Sequence, residues 1–143
     1  MSAPHPEGHG AIAAMRAALN LAGLAPDAVG YVNLHATATP QNDLMEARAL
    51  AAVFPAGVPC SGVKGLLGHT LGAAGAVEAL VCLAALEYGV WPGTAGLREP
   101  DPDSPAQLLR EPRVGAPPRY ALSNSFGFGG SNASVLLAGG SVA

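Results

Sequence analysis

Three residues in this chain have the types and the setting for acid–base or electrostatic chemistry. His35 and His69 each follow a short apolar segment and each is followed within two residues by threonine, in His35-Ala36-Thr37 and Gly68-His69-Thr70, and Lys64 stands five residues before the second histidine. Two neutral imidazoles can donate hydrogen bonds to an oxygen that gains negative charge as an enolate forms. A lysine beside them can organise a carboxylate. Together these groups suit decarboxylation or acyl transfer. On spacing alone, two structural histidines satisfied by backbone carbonyls explain the pattern as well as a site does.

The elements that must position these groups can be read from periodicity and punctuation. Pro6 to Leu24 places Ile12, Met15, Leu19 and Ala22 or Gly23 at helical spacing and stops at Gly23 before Pro26. Val29 to Leu34 is short and apolar and leads into His35-Ala-Thr-Ala-Thr-Pro40, so a buried strand delivers His35 at its C-terminal end, where α/β sheets gather reactive groups. Asp43 to Val53 predicts a second helix, with Leu44, Ala47, Leu50 and Ala51 on one side and acidic residues in its first turn. Val58 to Ser61 suits a strand, and Gly68 to Tyr88 predicts one long apolar helix whose Gly72 to Ala76 segment permits close packing. Trp91 to Pro118 reads as irregular with at most one short strand, and Tyr120 to Asn124 and Ala133 to Ala138 as two strands joined by Phe126-Gly-Phe-Gly-Gly130. This order implies an α/β fold with a mixed, buried sheet flanked by helices.

Composition narrows the function classes. The chain has 143 residues, 50% of them hydrophobic and 12% charged, which is one core-rich domain rather than a disordered segment. A net charge of -3 without a basic cluster offers no footprint for nucleic acid or an anionic membrane. No uninterrupted apolar run reaches the roughly 18 to 20 residues of a membrane span, and no secretion signal opens the chain, so a cytoplasmic location is expected. Cys60 and Cys82 lack metal-ligand spacing and read as reduced core residues, with no disulfide and no metal site. No phosphate loop or ligand cluster is present, and no cofactor is expected.

Three longer stretches carry a resemblance. They are His35-Ala-Thr-Ala-Thr-Pro-Gln-Asn-Asp43-Leu-Met-Glu46, Lys64-Gly-Leu-Leu-Gly-His69-Thr-Leu-Gly-Ala-Ala-Gly-Ala-Val-Glu78 and Asn124-Ser-Phe-Gly-Phe-Gly-Gly-Ser-Asn132. In order and spacing they resemble the C-terminal motifs of β-ketoacyl-acyl-carrier-protein synthases, the ketosynthases of the thiolase-like superfamily. A lone Gly-His-Thr would mean little, but three long motifs cover most of the chain. The resemblance implies a thiolase-like C-terminal half-domain in which His35 and His69 bind the thioester oxygen of a malonyl unit and promote loss of its carboxylate. It implies a supporting ion pair between Lys64 and Glu78, whereas a lone lysine is usually solvated. Thr37 and Thr39 would hydrogen-bond the phosphopantetheine arm, although Thr39-Pro40 also suits a helix entry. Phe128 would gate the acyl pocket and lend its N–H to the oxyanion, although aromatics between strands are often core. Asp43 and Glu46 would hold the histidine loop through local hydrogen bonds.

Departures from the family are equally specific. Its nucleophile, a cysteine at a helix N-terminus in the N-terminal half, has no counterpart here. Met1-Ser-Ala-Pro-His-Pro-Glu-Gly8 resembles an internal stretch, so the chain is expected to be one domain over residues 1–143, truncated at its N-terminal edge with the first strand missing. That would leave apolar surface open to association. Ala36 stands where glycine is commoner in the family, which sets positive φ against strain. Pro92-Gly-Thr-Ala-Gly-Leu97 also departs from a common family pattern.

The expected function is malonyl-ACP decarboxylation for Claisen condensation in fatty-acid, polyketide or polyene elongation, with an N-terminal half or partner subunit supplying the cysteine. The implied partners are acyl carrier protein, through its phosphopantetheine thioester, and a second chain in a homo- or heterodimer. The alternative is a non-catalytic remnant that associates with a full synthase as a chain-length factor does. A thiolase fits less well, because Cys60-Ser-Gly62 lies before Lys64 where the ketosynthase strand belongs.

Overall fold

In a computed structural model, residues 5–102 and 104–140 are described. Helix α1 (His9–Ala22) is followed by strand β1 (Val29–Asn33), α2 (Pro40–Val53), β2 (Pro59–Ser61), a one-turn helix α3 (Lys64–Leu67) and α4 (Ala74–Tyr88). Short strands β3 (Val90–Trp91), β4 (Gln107–Leu108) and β5 (Arg113–Val114) precede the long hairpin of β6 (Tyr120–Phe126) and β7 (Asn132–Ala138). The main sheet has the order β4-β2-β1-β6-β7, parallel throughout except for the antiparallel β6–β7 pair. This is the mixed sheet the sequence implies.

Helices α1 and α2 cover one face, where Met15, Leu19, Met45, Leu50 and Val53 pack on Val32, Cys60 and Leu122. Helix α4 covers the other, with Cys82, Ala85 and Leu86 beside Tyr31 and Ala121. With both faces covered, β1 reads as a continuous apolar run and is buried at four of its five residues. Helix α1 ends on Gly23 in the left-handed region, as Gly before Pro26 predicts.

Two expectations are corrected. The segment from Gly68 is not one helix. Gly68 (φ 75°) and Leu71 (φ 51°) leave the helical region, and α4 starts only at Ala74 after a 3-10 turn at Leu71–Ala73. Apolar spacing continues through the break and conceals it. The loop after Trp91 holds two further two-residue strands: β5 pairs with β3 outside the main sheet, and β4 extends that sheet beyond β2. Strands this short carry no periodicity.

The stretch Leu71–Tyr88 has a mean hydropathy of 1.5 over its 18 residues, long and apolar enough by composition to cross a membrane, although a count of uninterrupted apolar residues misses it. Only 28% of it is buried. Cys82, Ala85 and Leu86 face the sheet, while Leu71, Leu80 and Leu83 are exposed.

Candidate active site

His35 follows the end of β1 and is buried, 7% exposed. Its loop turns sharply, with Ala36 at φ 35° and Ala38 at φ 60°. The chain therefore accepts the positive φ that glycine would take freely. Room for the turn comes from Gly62, where a Cβ would lie 2.6 Å from that of Ala36. Glu46, in the second turn of α2 and 2% exposed, clamps the loop: its Oε1 accepts the His35 N–H and its Oε2 the Ala36 N–H, both at 2.9 Å. Burial pushes the Glu46 carboxyl up to about 7, against the pull of the two backbone N–H donors and Asn124. Glu46 thus holds the histidine loop as expected. Asp43 does not: it is exposed in the first turn of α2 and accepts from its neighbour Asn42, at 3.1 Å.

Lys64 at the start of α3 links the two halves of the site. Its ammonium donates to the His35 carbonyl at 2.5 Å, makes a long 3.5 Å contact with His35 Nδ1, and is ion-paired with Glu78 of α4. Both side chains of the pair are buried, so the lysine is not the solvated one that composition would suggest. Burial raises the Glu78 carboxyl, and the Lys64 charge opposes that rise.

His69 stands on the exposed corner between α3 and α4. Its ring lies edge-on to that of His35, with centroids 5.7 Å apart. The two histidines, 34 residues apart in sequence, converge on one point. The hydrogen bonds also assign their tautomers. His69 Nδ1 accepts the Leu71 N–H at 3.2 Å, and His35 Nδ1 faces an ammonium that can only donate. Each ring is left with Nε2–H as a donor. His35 stays neutral because burial, then the Lys64 charge, then His69, lower its pKa from 6.5 to about 4.

Thr37 and Thr39 lie just outside this pair, their hydroxyls 3.0 Å apart. Thr39 precedes α2 but makes no side-chain cap, so the helix-entry reading does not explain its hydroxyl. Phe126, the first aromatic of the glycine-rich loop, is 8% exposed and packs 5.8 Å from His35. Phe128 opens a 3-10 turn at Phe128–Gly130, and its side chain is not among the described ones.

Some residues around the site escape a sequence reading. Phe126 is one, although it stands beside the aromatic singled out as a gate. Asn124 is another: its Nδ2 donates to Glu46 Oε1 at 3.3 Å and its Oδ1 accepts from Ser134 at 2.8 Å. Asn124 opens the third motif, which was the available signal; Ser134 carries none. Cys60 and Cys82 are free and fully buried, and burial pushes both thiols up to about 12. Neither has the exposure or the thiolate character of a nucleophile.

The profile of the beta-ketoacyl synthase C-terminal domain matches residues 1–98. This chain belongs to that family. A mitochondrial 3-oxoacyl-[acyl-carrier-protein] synthase of Arabidopsis thaliana is 45% identical, over 94% of this chain and 31% of its own length. A ketosynthase solved in complex with its chain length factor, from Xenorhabdus doucetiae, superposes with a TM-score of 0.89 at 46% identity, over 98% of this chain and 36% of that one. A type II polyketide ketosynthase assembly, solved with its acyl-carrier protein and bound to the hexaketide, superposes at 0.90 with 27% identity, over 98% of this chain and 35% of that one. The chain spans about a third of the length of these beta-ketoacyl synthases. Their names mark them as acyltransferases, and the shared fold is the thiolase-like one.

Proposed function

We propose that this chain is the C-terminal part of a 3-oxoacyl-ACP synthase, spanning residues 1–143 as one domain, which decarboxylates malonyl-ACP for Claisen condensation in fatty-acid, polyketide or polyene elongation. The observation that carries the reading is the paired tautomer: His35 and His69 each spend Nδ1 as an acceptor and keep Nε2–H to donate.

In this reading both Nε2–H groups hydrogen-bond the malonyl thioester oxygen. As the C–CO2 bond breaks, CO2 leaves and its electron pair passes to the α-carbon and that oxygen, where the two donors stabilise the enolate. The enolate carbon then attacks an acyl thioester on a cysteine and expels the thiolate. This chain offers no such cysteine, so an N-terminal half or partner subunit supplies it. Lys64 and Glu78 hold His35 in place, Thr37 and Thr39 receive the phosphopantetheine arm, and Phe128 gates the acyl pocket with its N–H toward the oxyanion. The partners are acyl carrier protein and a second chain in a homo- or heterodimer, in the cytoplasm. Exposed Leu66, Leu67, Leu71, Leu80 and Leu83 suit such a protein interface.

The test combines this chain with a cysteine-bearing N-terminal half and follows CO2 release from malonyl-ACP, then 3-oxoacyl product. His35→Ala and His69→Ala should each lower decarboxylation by about 100-fold or more, the range for a positioned donor. The exposed leucines also support a second reading, a chain-length-factor-like partner without catalysis. Stable assembly with a full synthase, with CO2 release unchanged by either histidine variant, would select it.

A further inference from the structure

The carboxylate that clamps the His35 loop is itself held by the β6–β7 hairpin. Helix α2 contributes Glu46, and Asn124 of β6, the strand between β1 and the edge strand β7, donates to its Oε1. Across the hairpin, Asn124 and Ser134 are register partners, and the Ser134 hydroxyl donates to Asn124 Oδ1. That bond occupies the oxygen end of the amide. The nitrogen end is thereby turned toward Glu46, with Met15 Sδ of α1 at 3.5 Å from the same nitrogen. A flipped amide would place oxygen against carboxylate oxygen, so polarity sets the orientation of the whole chain of bonds.

We propose that Ser134, Asn124 and Glu46 form a positioning relay, in which the outer strand β7 governs how firmly the His35 loop is held. The loop needs such a device because its backbone is strained at Ala36 and Ala38, two non-glycine residues at positive φ. Without acceptors on both N–H groups, nothing in the local sequence holds the turn in that region. Glu46 supplies them, and the relay keeps both carboxylate oxygens aimed at His35 and Ala36. The three reach the site through the His35 and Ala36 N–H groups, so they are positioning residues. As an aid to catalysis the relay rests on the function proposed above; as a structural coupling it does not.

The test is amide hydrogen exchange on the full chain, read at His35 and Ala36 and, as an internal control, at Val32, Leu122 and Leu136 of the sheet. Ser134→Ala should speed exchange at His35 and Ala36 by severalfold and leave the control amides unchanged. Glu46→Gln, which keeps one acceptor oxygen of two, should speed at least one of the pair by about tenfold, the worth of one hydrogen bond. Adding Ser134→Ala to Glu46→Gln should then change the loop less than it does alone, because the relay is already cut. Unchanged loop exchange in Ser134→Ala overturns the proposal even if the Glu46 variant fails to fold, and so do additive effects. Coupled exchange together with malonyl-ACP decarboxylation that ignores His35→Ala would keep the relay and remove the catalytic reading.

Discussion

The two histidines of the site are held in opposite ways. His35 sits in a strained loop that this chain clamps on every side, through Glu46, Lys64, Gly62 and Phe126. His69 sits on an exposed corner, held by the Leu71 N–H and the edge of the His35 ring, with Leu66, Leu67 and Leu71 open around it. The chain thus preorganises one imidazole by burial and leaves the other open to solvent. Electrostatic catalysis depends on preorganisation and on water exclusion. In the function proposed above, the difference separates what this domain completes from what a partner would supply.

The largest effect should come from the link between the two regions. Glu78→Ala leaves the Lys64 ammonium buried without its carboxylate, and should destabilise the chain by about 3 to 5 kcal/mol in chemical unfolding. Replacing both residues by apolar ones of similar volume should recover most of that loss. If the single variant costs no more than a surface ion pair, the link is not buried in solution.

Next in size is a contrast between two glycines. Gly62→Ala drives a Cβ into Ala36, so the clamped loop must shift, at a cost of about 1 to 3 kcal/mol. Gly68→Ala meets no atom within 4 Å, but φ 75° with ψ 170° is backbone that only glycine adopts freely, a cost of about 1 to 3 kcal/mol that falls on the His69 corner. Amide exchange at His35 and Ala36 separates the two variants: Gly62→Ala should speed it and Gly68→Ala should leave it unchanged. Equal exchange in both would mean that the His35 loop is no more constrained than the His69 corner.

The clamped region should also show itself in pH dependence. His35 titrates near 6.5 when unfolded and near 4 when folded, so stability present above pH 6.5 is lost as pH falls toward 4. Glu46 runs the other way: its pKa rises from 4.5 to about 7, so its contribution is full below pH 4.5 and is lost as pH rises through 7. Between pH 4.5 and 6.5 the two oppose each other. Glu78, also raised by burial, adds to the Glu46 side in both proteins, so relative to the wild-type chain Glu46→Gln should show a denaturation midpoint that shifts downward as pH is lowered through this window.

Ala36→Gly should have the smallest effect. It relieves the strain of φ 35° but adds chain entropy to the unfolded state, and the two terms, each about 1 kcal/mol, nearly cancel. A denaturation midpoint within error of wild type is expected; a large gain would mean that the loop is held against more strain than its φ suggests.

Much of this molecule was decided locally. The apolar run of β1 and the stop of α1 at Gly23 follow from residue type and period alone, because burial on two faces and the left-handed cap each leave a mark on adjacent residues; α2 is a helix as its spacing predicts, but its inner side is Met45, Ala49 and Val53 beside Ala47 and Leu50, and Leu44 is exposed. The three motifs likewise named His35, Lys64, His69 and Glu78 before any fold was visible. The break at Gly68–Leu71 left no mark, since the apolar spacing runs through it unchanged, and no count of consecutive apolar residues showed that Leu71–Tyr88 would be exposed along one side. Nor could spacing show that Glu46 clamps the loop while its neighbour Asp43 does not, that Phe126 packs on His35, or that Ser134 reaches Glu46 through Asn124. Those contacts join residues 10 to 91 positions apart. They exist only once parallel pairing has set β1 beside β6 and the helices have closed over both faces, so the tertiary structure alone decided them.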